Sequence, residues 1–294
     1  MIDAVRRFNR TVTQRVGALE EAYLSRERPL GQARVLWEIG PGGSDLTSLR
    51  ARLDLDSGYL SRLLRALERD GLVAVRPSDT DGRGRIASLT TAGRTEWSLL
   101  NDRSDGLARS ILEPLSSRQR EQLVSAMADV EQLLVASMVE ISIRSPSDPQ
   151  ARLCLRSYFD ELSARFDGGF APERSIPARD DELTPPAGLL LVATLHAEPV
   201  GCGALKLHPD QPAEIKRMWV GLAMRGLGLG RRLLQELELH AARAGAATVR
   251  LETNGALTEA ISLYRRSGYR EVPAFNDEPY AHHWFEKDLF GPSE

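Results

Sequence analysis

The stretch Glu214-Ile-Lys-Arg-Met-Trp-Val220, followed by Gly221-Leu-Ala-Met-Arg225-Gly226-Leu227-Gly228-Leu229-Gly230-Arg231, decides the fold of the second half of the chain. The first seven residues read as a strand. The glycines come next and open a helical pattern, in which Leu229, Leu233, Leu234 and Leu237 recur on one side. A glycine-rich turn between a strand end and a helix N-terminus lets several backbone N–H groups converge on one anion. The chemistry this suggests is phosphate binding. Two common phosphate loops do not fit. A dinucleotide fingerprint counted from Gly226 needs glycine at its sixth position, where Arg231 stands. A nucleoside-triphosphate loop needs Gly-Lys-Ser or Gly-Lys-Thr, and Gly230 is followed by Arg231 and Arg232.

Outward from that loop the pattern alternates. A short helix is expected near 157–166, then strands at 188–196, 199–208 and 214–220. A helix at 228–244, a strand at 248–253, a helix at 257–267 and two final strands complete the region. A second motif lies at Asn254-Gly-Ala-Leu-Thr-Glu-Ala260-Ile-Ser-Leu-Tyr264-Arg-Arg-Ser-Gly268-Tyr269. Arg-x-x-Gly-x-Gly after a strand, with Asn and then Ala-x-x-Leu-Tyr and Gly-aromatic, resembles the GNAT N-acetyltransferases over roughly residues 150–290.

The resemblance implies an α/β fold with a mixed, mostly antiparallel sheet and helices on both faces. It implies acetyl-CoA as cofactor and an amine as acceptor. Backbone N–H groups from Arg225, Gly226, Leu227, Gly228, Leu229, Gly230 and Arg231 would cradle the pyrophosphate. Met218, Trp219 and Val220 would pair with the pantetheine amides, and the strand Thr248–Thr253 would splay away to open the acetyl slot. Tyr264 would protonate the leaving thiolate; a core aromatic is its plain alternative. Asn254 would help position the cofactor or would simply close a turn. Glu214, six residues before Val220, would be the general base or a strand-start carboxylate paired with an arginine; other members rely on ordered water. The region 272–287, with His282 and His283, reads as two strands around a polar-aromatic loop that lines the acceptor pocket. No metal site is expected, since no further ligand stands at metal spacing.

The first half reads differently. Asp45 can cap a helix through Leu53, and Asp54-Leu-Asp-Ser57 leads into a second helix. Leu60, Leu63, Leu64 and Leu67 give that helix a buried stripe. Ser57, Tyr59, Ser61, Arg62 and Arg65 occupy its other face, toward the N-terminal end, as a helix reading a DNA groove requires. Gly71 stops it. Two strand-like runs flank Pro77-Ser-Asp-Thr-Asp-Gly82, and Arg83 and Arg85 follow the Asp-Gly tip. An arginine-tipped hairpin suits a narrow minor groove. The wing Asp81-Gly-Arg83-Gly-Arg85, with Leu89-Thr-Thr-Ala-Gly93 and flanking long helices, resembles the MarR family of winged helix-turn-helix regulators over residues 1–143. The resemblance implies a homodimer through the first and last helices, reading a palindromic operator in double-stranded DNA. Apolar residues at helical spacing, Val5, Phe8, Val12, Val16 and Leu19 in 1–24 and Leu123, Met127, Val130, Leu134 and Met138 in 119–139, fit such an arm independently.

Composition agrees with this division. The 294 residues, 42% hydrophobic and 27% charged, suit two ordinary globular domains. The first half is nearly balanced in charge, so a DNA footprint there is local rather than a bulk polycation. The longest apolar run, Gly188–Leu195, falls far short of the ~20 residues that cross a bilayer. The start MIDAVRRFNRTV has no leader-like apolar core, and Cys154 and Cys202 make no disulfide framework, so a cytoplasmic place without membrane contact is expected. The stretch Arg144-Ser-Pro-Ser-Asp-Pro-Gln150 reads as a linker. The expected domains are therefore 1–143, mainly α, and 151–294, α/β, joined by 144–150. Function stays open among three readings: an acetyltransferase of small amines, a regulator that senses acetyl-CoA or a metabolite without turnover, and a protein lysine acetyltransferase.

Overall fold

The structure is a computed structural model and describes residues 1–16, 28–77, 84–209 and 211–290. Aspartates start the two central helices of the first half. The Asp45 carboxylate accepts from the N–H groups of Thr47 and Ser48 at 2.8 and 3.0 Å and starts α3 (Leu46–Leu53). Asp56 accepts from the Tyr59 N–H at 2.8 Å and starts α4 (Ser57–Arg69). Such caps satisfy donors that the first helical turn leaves without partners. Before them come α1 (Ile2–Arg15), α2 (Leu30–Ile39) and the short β1 (Ser44–Asp45). After them come β2 (Val73–Pro77), β3 (Arg85–Leu89), α5 (Thr91–Leu112) and α6 (Ser117–Ser137).

Leu60, Leu63, Leu64 and Leu67 of α4 are buried against Val35, Leu36 and Ile39 of α2 and Leu49 of α3. The hairpin β2–β3 pairs antiparallel from Val73↔Leu89 to Pro77↔Arg85, with β1 on the outer side of β3. The Thr-Thr-Ala-Gly run earns its place sterically. Thr90 caps α5 by accepting from the Gly93 N–H and itself donates to the Gly71 carbonyl. A Cβ on Gly93 would stand 1.9 Å from the Leu72 carbonyl oxygen, so only glycine allows that approach. The hairpin tip, with Asp81, Gly82 and Arg83, lies outside the described residues, as does Leu19.

Two compact units emerge, Met1–Asp129 and Val130–Glu294. The expected boundary at 143/144 is corrected by β4 (Glu140–Arg144), which pairs antiparallel with β5 (Gly188–Leu195) and is the outer strand of the second sheet. The run expected to be a linker is a turn inside the second unit. It ends where Asp148 caps α7 (Pro149–Arg165). Pro149 stands in the first turn of that helix, where a missing N–H costs nothing and φ is preset. The helix thus begins well before the expected residue 157.

The second unit continues with β6 (Glu198–Lys206), β7 (Ala213–Val220), α8 (Leu229–Arg243), β8 (Thr248–Thr253), α9 (Thr258–Arg266), β9 (Arg270–Val272) and β10 (His283–Asp288). Its seven-stranded sheet has the order β4-β5-β6-β7-β8-β10-β9. All recorded pairings are antiparallel except β7 with β8. Leucines 229, 233, 234 and 237 of α8, with Ile261 and Tyr264 of α9, pack into a core with Leu189, Leu191, Ile215, Leu251 and Phe285. Ala151 and Cys154 of α7 pack with Leu190, Val192, Cys202 and Ala204, the alternate residues of β5 and β6. Alternation along a strand sends successive side chains to opposite faces, so helices cover both faces of this sheet.

Candidate acyl-CoA cleft and acceptor cavity

The parallel ladder between β7 and β8 consists of Ala213↔Val249 and Glu214↔Arg250. Past Glu214 the two strands no longer pair, and the gap between them opens the site. The β7 edge also carries a bulge: Cys202 faces Trp219 while Ala204 faces Lys216, so Arg217 and Met218 together oppose Gly203. Arg217 takes φ +57°, a left-handed conformation. For a residue with a Cβ this costs on the order of 1–3 kcal/mol and persists where surrounding structure enforces it.

A cleft of about 720 Å³ runs along the Met218–Val220 end of β7, the glycine loop and α9. That size suits a cofactor-sized ligand. Gly226 and Gly228 take φ +79° and +82°, with open space where a Cβ would be, so backbone conformation rather than crowding requires glycine there. Gly228 precedes the first residue of α8. Among the described residues, none accepts a hydrogen bond from the backbone N–H of Gly226 through Arg231. Free N–H groups at a helix start, with the helix dipole behind them, form a site for an anion such as a pyrophosphate.

The Arg225 side chain serves the turn itself. Its Nε donates to the Val220 carbonyl at 2.9 Å, and its Nη2 donates to Glu161 of α7 at 2.5 Å. Glu161 also accepts from Trp219 Nε1 at 3.0 Å and from Arg165 at 3.2 Å. Burial opposes the Glu161 charge, but the hydrogen bonds from Arg225 and Arg165 outweigh it and hold the carboxyl below its ordinary range. Tyr158, Glu161, Leu162 and Arg165 of α7, and Thr258, Glu259 and Leu263 of α9, line the cleft without having been singled out in the sequence. Their only sequence signal is helical periodicity. Leu227 is the exception within the loop, since its side chain packs into the core.

A second cavity adjoins the cleft. Tyr158, Leu162, Met218, Leu257, Ala260 and Tyr264 line both. Tyr264 is therefore at the junction, 5% exposed, and burial raises its pKa above the ordinary phenol value. The phenol stays protonated across the neutral range, as a proton donor must. Asn254 lines the second cavity, not the cleft. Its Nδ2 donates to the Tyr280 carbonyl at 2.7 Å and its Oδ1 accepts from the Ala256 N–H at 2.8 Å, so both ends close a turn. Those bonds are the turn closure expected as the alternative to a cofactor contact.

Glu214 likewise takes the ion pair expected as the alternative to a general base. Its carboxylate accepts from Arg250 at 2.6 Å, lies 3.4 Å from Lys216 Nζ, and does not line the cavity. Burial opposes its charge, and Lys216 and Arg250 overcome that penalty and keep the carboxyl below its ordinary range. Two acids do line the cavity, Glu252 and Glu278. Glu252 is ion-paired with Lys216 and is 3.5 Å from Asn276 Nδ2. Glu278 accepts from Ser175 Oγ, Ile176 N and Tyr280 N at 2.7–3.2 Å, which ties two loops together. His282 Nδ1 accepts from the Gly255 N–H at 3.2 Å, and His283 bonds Glu271 at 2.7 Å.

In the first unit, Ser57, Tyr59, Ser61, Arg62 and Arg65 of α4 are exposed, as is Arg85 on β3. Arg62 lies over the Tyr59 ring at 5.4 Å, and Arg65 Nε donates to the Ser61 carbonyl at 3.2 Å.

Comparison with known proteins gives this geometry its class. A family model for the GNAT acetyltransferases matches residues 155–269, and a model for the MarR family matches residues 27–84. The chain is 36% identical over 118 residues to an IAA acetyltransferase of Azospirillum brasilense, covering 40% of this chain and 76% of that protein. It is 34% identical over 114 residues to an N-acetyltransferase of Schizosaccharomyces pombe, covering 35% and 66%. A solved acyl-CoA N-acyltransferase from Klebsiella pneumoniae is 30% identical, with 52% of this chain and 99% of that chain covered and a TM-score of 0.43. The chain belongs to the GNAT acetyltransferase family, the acyl-CoA-dependent N-acetyltransferases, and it carries a MarR-family domain ahead of the catalytic fold.

Proposed function

We propose that this protein is a DNA-binding regulator fused to an enzyme that moves an acetyl group from acetyl-CoA to an amine. One observation carries the catalytic reading. The unanswered N–H groups of Gly226–Arg231 line a cleft that meets a second cavity at the buried hydroxyl-bearing Tyr264. The loop binds the CoA pyrophosphate, and the free edge of Met218–Val220 receives the pantetheine amides. Binding and orientation are the loop's contribution.

The chemistry follows from the cavity walls. A neutral amine attacks the thioester carbonyl carbon, forming the C–N bond and an oxyanion held by strand-end N–H groups. Collapse breaks the C–S bond. The departing sulfur takes a proton from Tyr264, and the proton shed by the amine nitrogen passes to Glu252, the cavity acid with only a distant second contact. Solvent then returns both groups to their starting protonation. Glu214 fixes Lys216 and Arg250 and so holds Glu252 indirectly.

The first unit binds palindromic double-stranded DNA as a dimer in the cytoplasm. The exposed polar face of α4 enters the major groove and the hairpin bearing Arg83 and Arg85 meets the minor groove. α1 buries none of its residues and exposes Ile2, Val5, Phe8 and Val12, which supports a second copy covering that face. Among the described residues no helix is long and apolar enough to cross a membrane.

The test is free-thiol release from acetyl-CoA by the full chain against amino acids, polyamines, aminoglycosides and lysine peptides. Release with one class, cut on the order of a hundredfold by Tyr264→Phe, is expected. Tight acetyl-CoA binding without release from any amine would make the domain a sensor instead.

A further inference from the structure

The second cavity holds one cation that its surroundings do not neutralise. Lys216 pairs with Glu252 and lies beside Glu214, and Arg250 pairs with Glu214. Arg217 lines the cavity, and among the described residues no carboxylate oxygen lies within 4.0 Å of its nitrogens. Its guanidinium lies over Phe159 at 4.8 Å and over Tyr158 at 5.7 Å. Stacking occupies the faces of the planar group; one edge interacts with the Tyr158 hydroxyl, and the remaining edge donors are available. The bulge in β7 is what turns this side chain into the cavity beside Met218, at the junction with the cleft. Glu278, the cavity's other charge without an ion pair, already accepts three hydrogen bonds from the loops it ties.

Phe159, the ring beside the Arg217 guanidinium, is itself stacked on Phe170 at 5.8 Å, so an aromatic wall continues from that side chain. Phe170 and Tyr280 lie 4.8 Å apart at their ring centres, and Phe166 packs against both at 5.9 and 5.8 Å. A guanidinium edge fits a carboxylate, and such rings fit a planar apolar body.

We propose that the acceptor is an amino acid with an aromatic side chain. Arg217 binds its carboxylate, the Phe166–Phe170–Tyr280 wall takes its ring, and its amine is left facing the thioester at Tyr264. This rests on the acetyltransferase reading above and narrows it to one substrate class. The transfer is the one already described: the amine nitrogen gains the acetyl carbon, the CoA sulfur gains a proton, and no other reactant is needed.

Three probes separate the parts: phenylalanine, phenethylamine (the ring without the carboxylate) and glycine (the carboxylate without the ring). The wild-type protein should favour phenylalanine over each of the others by at least tenfold in kcat/KM. In Arg217→Gln the preference over phenethylamine should vanish, and Arg217→Lys should restore part of it. A ratio taken within each variant does not depend on how much of that variant folds. Equal use of phenylalanine and phenethylamine by the wild type, or a preference that survives Arg217→Gln, overturns the proposal. If no amine releases thiol, the acetyltransferase reading is what has failed. Calorimetry of phenylalanine with the CoA-loaded protein then decides the site: binding that Arg217→Gln abolishes supports it, and no binding overturns it.

Discussion

The cleft and the cavity meet at Tyr264 yet are made of different material. The cleft presents backbone N–H groups without acceptors, supplied by one short run of sequence, Gly226–Arg231. The cavity is made of side chains from α7, the 166–176 segment, the β7 bulge, β8, α9 and the 278–281 segment. Backbone chemistry is the same for every residue, so a site made from it needs only the right conformation, and glycine supplies that. Side-chain chemistry has to be collected from distant positions. The cleft should therefore tolerate changes in side-chain identity that preserve its backbone, whereas the cavity should respond to single atoms.

The largest effect expected is in the cleft. Gly228→Val places a β-branched residue at φ +82°, which should shift the loop and weaken acetyl-CoA affinity about a hundredfold, or ~3 kcal/mol, by calorimetry. An unchanged affinity would break the backbone account. In the cavity, Glu252→Gln should lower kcat at least tenfold with little change in acetyl-CoA affinity. Glu214→Gln should act on stability instead. It leaves Arg250 and Lys216 without a full countercharge, at a cost of about 2–4 kcal/mol in denaturant unfolding. If Glu214→Gln destroys turnover in a protein of normal stability, the two glutamates have been assigned the wrong way round.

Smaller effects belong to the first unit and to pH. Arg62→Ala, Arg65→Ala or Arg85→Ala should each weaken operator binding by about tenfold and reduce the salt slope by about one for a phosphate contact. Normal binding by all three would remove α4 and the hairpin from the interface. Burial raises Tyr264, so its proton is held at every pH below its ordinary value of about 10. Turnover should rise with pH as the amine loses its proton and show no tyrosine-linked decline up to pH 10. A basic decline below pH 9 in the wild type that Tyr264→Phe lacks would contradict this.

The same contrast explains what could be read from the sequence. The glycine loop and the Ala-x-x-Leu-Tyr helix were legible because each is a run of consecutive residues with a forced conformation. The amphipathic pattern of α4 was legible because its four leucines are buried and leave Ser57, Tyr59, Ser61, Arg62 and Arg65 exposed. β4 was not legible, because Glu140–Arg144 directly follows a long helix and becomes a strand only through its partner β5. The start of α7 was hidden by Pro149, which reads as a breaker unless its position in the first turn is known. Arg217 carried no signal at all: its importance comes from a bulge and from rings on α7. For Glu214 and Asn254 the kind of contact was legible, an arginine pair and a turn closure, but not the partner, since Arg250 and the Tyr280 carbonyl lie 36 and 26 positions away.

Tyr264 is shared by both sites, so the most direct measurement is the rate of thiol release by the wild type and by Tyr264→Phe at saturating acetyl-CoA and phenylalanine, with acetyl-CoA affinity measured alongside. The account predicts a rate lower by about a hundredfold and an affinity unchanged within about twofold. Equal rates in the two proteins would contradict it.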